Sequence, residues 1–450
     1  MAQHPPALPR VVLGIGLAAS IATPASAQIL DLPRLPEVPP HAAPPPGAAD
    51  AELPEPMVGP LRARLQERLD AHREAAGAPG AALAVVLPGG QELGVCSGLS
   101  RRADPSSPLT SGDRMLSGSV GKTYCAAIAM LLTEEGTLDL DAPIARYIGD
   151  RDWFSRLPSA DAITARMLLN HTSGLREHVT SPAFIDALRA HPDRDWTPEQ
   201  LVAFALDQAP LFPAGQGWSY ADTNYVLLGL IIEAITGSAY NDLLRDRLLE
   251  PLGLVFTDPS DRPDLWGLIP GYTDPANPFG FPEQTAHDET YCVNPQFEYT
   301  GGGTITTAAD LARWADHLYA GRVVSTDSLG QMGQGVTCSL GPDIRYGLGT
   351  IIWPSAHGPA WGHSGWFPGY ITMVRRYQDL GITIAYQQNT DVRANPVAIG
   401  RLLDAVAGLV HTTLERVPAA PDPAPVPQHT PGDPNSPADA PAPPGTPTGS

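Results

Sequence analysis

The chain carries 27 arginines and a single lysine, Lys122. Arginine can serve at a surface, in a salt bridge or at a helix end. It cannot give up a proton near neutral pH, because its guanidinium stays charged above pH ~12, whereas an ammonium can be tuned by burial and neighbours. A lone lysine on an arginine background is therefore a candidate for proton transfer. Three residues before it, in Ser117-Gly118-Ser119-Val120-Gly121-Lys122, stands Ser119. Residues i and i+3 share a helix face, so hydroxyl and amine can meet. At a helix N-terminus the backbone N–H groups also favour developing negative charge on the serine. Ser119 as nucleophile with Lys122 as proton-transfer partner is the chemistry this spacing allows.

Other pieces follow in order. They are Ile163 to Leu175, which contains His171-Thr172-Ser173-Gly174; Pro213-Ala214-Gly215 and Tyr220-Ala221-Asp222-Thr223-Asn224-Tyr225; Gly301-Gly302-Gly303 before Asp310-Leu311-Ala312; and Gly362-His363-Ser364-Gly365. Together they resemble the serine β-lactamase-related family of class C β-lactamases, D-alanyl-D-alanine carboxypeptidases, D-aminopeptidases and some esterases, over most of residues 60–410. The resemblance implies an α+β fold: an antiparallel sheet from both chain ends, flanked by helices, plus a mostly helical lobe. It also implies roles. Ser119 forms an acyl-enzyme, Lys122 and Tyr220 move protons, and the backbone N–H groups of Ser119 and Trp366 form an oxyanion hole. His363, Ser364 and Gly365 line the edge strand that docks substrate, while His171 and Ser173 pack beneath the site.

Two departures from the family pattern bear on the chemistry. The second motif ends in Asp222 where Asn is usual. A carboxylate there stabilises the ammonium form of Lys122. Either Tyr220 then carries more of the base role, or Asp222 is itself protonated, or Asp222 holds a substrate amine. In the third motif His363 stands where many β-lactamases have Lys. A histidine, only partly charged near pH 7, holds an anionic group less firmly. The favoured reading is a DD-carboxypeptidase-like or esterase-like hydrolase of D-amino-acid peptides or small esters and amides. The alternatives are a β-lactamase, or a catalytically weak protein that binds or senses cell-wall peptides.

The rest of the chain must place these residues. Arg10, the short apolar stretch Val11–Ile21 and Ala25-Ser26-Ala27 read as a signal peptide over 1–27, and hence as an exported protein, periplasmic or secreted. Proline-rich linkers are expected at 28–57 and 417–450, around a hydrolase domain at 58–416. A formal charge of −20 disfavours nucleic acid and anionic membranes as partners. A peptide or small molecule is the expected substrate. No stable membrane span, cofactor or metal is expected, since the 12 histidines are scattered without a zinc-site pattern. Of the four cysteines, Cys292 and Cys338 are the favoured disulfide pair because both lie in loop-like stretches, and Cys125 reads as a buried hydrophobe. Helices are expected at Leu61–Ala75, Ser119–Glu135, Tyr225–Thr236 and Ala308–Ala320, with Thr307 as N-cap. Strands are expected at Ala81–Val86, Glu92–Gly98, Ile371–Arg376 and Ile382–Gln388.

Overall fold

The computed structural model describes residues 53–417. The expected leader and nearly all of both proline-rich stretches lie outside the described residues. Thirteen strands are present in the described part: β1 (Gly80–Val86), β2 (Glu92–Gly98), β3 (Met115–Leu116), β4 (Asp258–Pro259), β5 (Ala286–His287), β6 (Thr290–Tyr291), β7 (Thr304–Thr306), β8 (Val336–Thr337), β9 (Arg345–Tyr346), β10 (Ile351–Trp353), β11 (Ala360–Phe367), β12 (Tyr370–Tyr377) and β13 (Ile382–Gln388). Eight of them form one antiparallel sheet in the order β2-β1-β13-β12-β11-β10-β9-β8. Strands from the two chain ends thus meet at β1 and β13, with Ala81 opposite Gln388 and Val86 opposite Thr383. The small sheet β3-β7-β4 and the β5-β6 hairpin stand apart from it.

Both faces of the large sheet are covered, so β1, β12 and β13 are buried along their whole length. Period-two alternation divides β1 between two cores. Ala81, Leu83 and Val85 pack under the two terminal helices, Glu55–Ala76 and Pro396–Leu414, while Ala82, Ala84 and Val86 face the helical lobe. Helix Glu55–Ala76 begins six residues earlier than expected. Pro56 lies in its first turn, where a missing N–H costs no intrahelical bond, and Gly77 closes it in the left-handed conformation at φ 67°. Helix Ala308–Tyr319 carries the expected Thr307 cap, whose hydroxyl accepts the Asp310 N–H at 3.2 Å. Among the described residues, Pro396–Leu414 is the one single helix long and apolar enough to cross a membrane; half of it is buried against the protein, as in a core helix.

All four cysteines are free thiols, which corrects the expected Cys292–Cys338 bridge. Cys338 follows the outermost strand β8 and donates to the Ile344 carbonyl at 3.3 Å, whereas Cys292 follows β6 in the separate hairpin. Different sheets hold the two side chains.

Leu65 and Leu69, both at 0% exposure, anchor the first helix to the sheet. Leu65→Ala should cost about 2–5 kcal/mol through lost burial and a residual cavity. Urea unfolding measures this, and a change below about 0.5 kcal/mol would show that the helix does not contribute to the core.

Candidate active site

Ser119 lies in a 3₁₀ turn, Gly118–Gly121, that leads directly into helix Lys122–Glu134. A single regular helix was expected here. The turn is tightened because its two glycines are clamped by neighbouring backbone. Gly118 has φ 52°, and a Cβ there would strike the backbone of Trp366; a Cβ on Gly121 would strike the Gly302 carbonyl. The serine turn is thereby wedged between β11 and the glycine run 301–303. Ser119 is the one residue of the turn that is not fully buried.

Strand β11 gives the turn its second wall. β10 pairs only with its first three residues, Ala360–Gly362, so His363–Phe367 are paired with β12 on one side and free of a strand on the other. The serine turn sits against that free side. A Cβ on Gly365 would meet the Ser117 carbonyl, with the Ser119 nitrogen 3.2 Å away. The backbone nitrogens of Ser119 and Trp366 therefore share one small region. Trp366 is held from behind by its indole N–H, which donates to Asp391 at 2.9 Å.

Lys122 has no solvent exposure. Its Nζ has three acceptors: Ser119 Oγ at 3.2 Å, the Asp222 carboxylate and the Gly301 carbonyl. Three acceptors match the three N–H bonds of an ammonium. The rings of Tyr220 and Tyr225 lie 4.8 and 5.3 Å from the same nitrogen. Asp222 opens helix Asp222–Thr236, and its N–H donates to Glu177 at 2.8 Å. The Tyr220 hydroxyl is buried without a full hydrogen-bond partner and faces Ser119. Burial first, then the charges of Asp222, Glu177 and Glu298, hold that phenol well above its ordinary pKa, so it stays neutral.

Three carboxyls surround this pair. Burial pushes Asp222 up to about 6 against the opposing pull of Lys122. It pushes Glu177 up to about 7 although backbone N–H groups of Val179 and Asp222 favour its charge. It pushes Glu298, further raised by Asp222, up to about 8. Glu298 lies directly against Gly302, where any side chain would collide with its carboxyl. Sequence reasoning missed Glu177 and Glu298. The one available signal was their proximity to quoted motifs: Glu177 two residues after His171 to Leu175, and Glu298 three residues before the glycine run.

The structure thus brings together Ser119, Lys122, Tyr220, Asp222, Gly365 and Trp366. Ser364 sits half-buried on the same strand. His363 lies on the expected strand, with its side chain turned inward. It is 1% exposed and locked by hydrogen bonds, from Tyr346 Oη at 2.8 Å and to the Ser364 carbonyl at 2.6 Å. Burial and the Lys122 charge push its pKa down to about 3. It is a neutral internal side chain at pH 7 and not a partly charged group on the docking edge.

The Beta-lactamase family profile matches residues 65–409. The chain belongs to the Beta-lactamase family. Within this family of serine hydrolases it is similar to penicillin-binding protein 4* of Bacillus subtilis, with 29% identity over 63% of this chain and 62% of that protein. The match thus spans less than two thirds of the Bacillus protein. Penicillin-binding protein 4 of Amycolatopsis lactamdurans is 29% identical over 80% of this chain and 94% of its own length. Among solved structures, a D-stereospecific amidohydrolase from a Streptomyces species superimposes with a TM-score of 0.65, at 29% identity over 76% of this chain and 97% of that one.

The raised Glu298 carboxyl sets a sign for stability. A folded-state pKa above the unfolded value of about 4.3 means that the native protein binds the proton more tightly, so stability is lost as pH rises from about 4.3 towards about 8. Glu298→Gln cannot ionise. Its melting temperature relative to wild type should therefore climb steadily from pH 5 to pH 8. A difference that stays constant across this range would show that Glu298 ionises normally.

Proposed function

We propose that this protein is an exported hydrolase that cleaves amides and esters of D-amino acids bearing a free amine, through an acyl-enzyme on Ser119. The observation that carries this reading is the set of ionisable groups around Ser119. Its one lysine is matched by Asp222, the charges acting on Tyr220 come from three carboxyls, and His363 is neutral. Lys122 and His363 thus leave no free positive charge for a C-terminal carboxylate or the carboxylate of a β-lactam, whereas a substrate ammonium would favour ionisation of the raised Glu177 and Glu298 carboxyls beside the pair. This favours the amide and ester branch over a carboxypeptidase or a β-lactamase. The D-stereospecific amidohydrolase relative supports the same branch. The small-residue site at Ala25–Ala27 supports export.

The Lys122–Asp222 pair supplies the base. The three acceptors around Nζ suit an ammonium as the starting form. Asp222, with its carboxyl raised by burial, takes a proton from it, leaving a neutral amine 3.2 Å from Ser119 Oγ. The amine accepts the Ser119 proton as Oγ attacks the carbonyl carbon. The backbone N–H groups of Ser119 and Trp366 bind the oxyanion that forms. Tyr220, neutral and facing Ser119, then donates its proton to the leaving group and regains one from Lys122. Water repeats the sequence in reverse to release the acid.

A substrate panel tests the reading: a D-amino acid amide, its L enantiomer, an N-acylated D-alanyl-D-alanine peptide, a labelled penicillin and a p-nitrophenyl ester of a D-amino acid. The D-amide and D-ester should turn over, with the acyl adduct mapped to Ser119 and lost in Ser119→Ala. Preference for the N-acylated peptide would contradict the amine argument. Turnover of none, with reversible peptide binding, would replace the enzyme with a binder.

Asp222 gives a second test. If it must be ionised to take the Lys122 proton, kcat/KM falls as pH drops through about 6. Asp222→Asn should lose that acidic limb as well as activity. The same limb in both proteins would exclude Asp222 as the proton store.

A further inference from the structure

His171, Ser173 and Asn224 belong to the sequence motifs but take no part in the proton transfers above. With Tyr346 and His363 they form one buried hydrogen-bond chain whose direction the backbone dictates. The Ala221 N–H can only donate, and it points at His171 Nδ1 at 3.3 Å. Asn224 Nδ2 donates to the same nitrogen at 3.0 Å. The Asn224 amide is oriented by Ser173, whose hydroxyl accepts the Leu175 N–H at 3.1 Å and donates to Asn224 Oδ1 at 2.6 Å. His171 Nδ1 is thus an acceptor, and the ring's proton sits on Nε2, which donates to Tyr346 Oη at 3.2 Å. Tyr346 in turn donates to His363 Nε2 at 2.8 Å. The far end agrees independently. His363 Nδ1 faces the Ser364 carbonyl at 2.6 Å, which can only accept, so Nδ1 carries the proton and Nε2 must accept.

The chain therefore runs from the backbone N–H of Ala221, between Tyr220 and Asp222, to the backbone carbonyl of Ser364 on the free side of β11. All three ring-bearing links are closed to solvent: His171 and Tyr346 at 0% and His363 at 1%. The His171 ring also lies 4.2 Å from the Tyr220 ring at 34°. In such a closed chain each donor has one acceptor, so the relative placement of its two ends has little slack.

We propose that Tyr346 is a positioning residue. Through His171 and His363 it sets the spacing between the loop that carries Tyr220 and the strand that carries the Trp366 N–H, and so aligns proton donor and oxyanion hole. This rests on the Ser119 acyl-enzyme reading. It requires both histidines to remain neutral. The groups bearing on them are Lys122 for both and His363 for His171, all of which oppose a second proton, as does burial. The hydrogen bond to the Ser364 carbonyl is the opposing influence on His363, whereas the N–H that Ala221 donates to His171 Nδ1 needs that nitrogen unprotonated.

Two measurements on the full chain test it. Long-range ¹H–¹⁵N spectra of the imidazoles, from pH 8 to pH 5, should show His171 as the Nε2–H tautomer and His363 as the Nδ1–H tautomer, with neither ring titrating. The opposite tautomer on either ring, or titration within this range, overturns the proposal. In Tyr346→Phe, kcat should fall about 10- to 100-fold with KM within about twofold, as for a small misplacement of the reacting groups. Adding His171→Gln should cost little more, because both break one chain. Unchanged kcat in a folded variant, or losses that multiply, overturns it. If the wild type turns over no substrate, the Ser119 reading fails while the imidazole spectra still judge the network. If Tyr346→Phe does not fold, the wild-type spectra decide alone.

Discussion

The site depends on one buried ion pair. Lys122 has no contact with solvent, and an unpaired ammonium there would be very costly. Asp222 and the Gly301 carbonyl make its position tolerable, and they also place it beside Ser119. The same pairing that retains the charge could prevent the chemistry, because a firmly held ammonium is no base. In the mechanism we propose, burial answers this by raising Asp222, so that a proton passes between the two groups without creating a net charge in the interior. Glu177 and Glu298, raised further still, add acid without adding much fixed charge at neutral pH.

The remaining architecture serves to bring four chain segments to that pair. The serine turn comes from the start of the first lobe helix, Asp222 from the start of another, Gly301 from the glycine run, and Trp366 from β11. These segments touch through backbone, which is why Gly118, Gly121 and Gly365 have no room for side chains. Joining β1 to β13 makes the two chain ends one sheet, and the terminal helices cover its far face. The free half of β11 exists because β10 is only three residues long. A longer β10 would occupy the edge that the serine turn uses.

Much of this was legible in the residues. Ser119 and Lys122 stood out because arginine filled every other cationic position, and the strands followed from continuous apolar runs. Other parts were not legible, for physical reasons. The left-handed Gly118 and the tight turn after it reflect tertiary contacts with Trp366, 248 positions away in the chain. The raised carboxyls depend on burial, which no local pattern reports for Glu298. The burial of the His363 side chain was not legible because strand alternation gives a face but not what covers it, and its cover, Tyr346, carried no motif at all. The disulfide expectation failed because loop-like composition says nothing of which sheet a loop belongs to.

The central claim is that Lys122 must exchange a proton with Ser119, and the pre-steady-state burst of a D-amino acid p-nitrophenyl ester with Lys122→Arg tests it most directly. Arginine keeps the positive charge beside Asp222 but cannot act as a base. The burst rate should fall by at least about 10³-fold, a loss within the range set by acid–base catalysis, while circular dichroism and the thermal midpoint show that the variant is folded. A folded Lys122→Arg protein that acylates Ser119 at the wild-type rate would contradict the account.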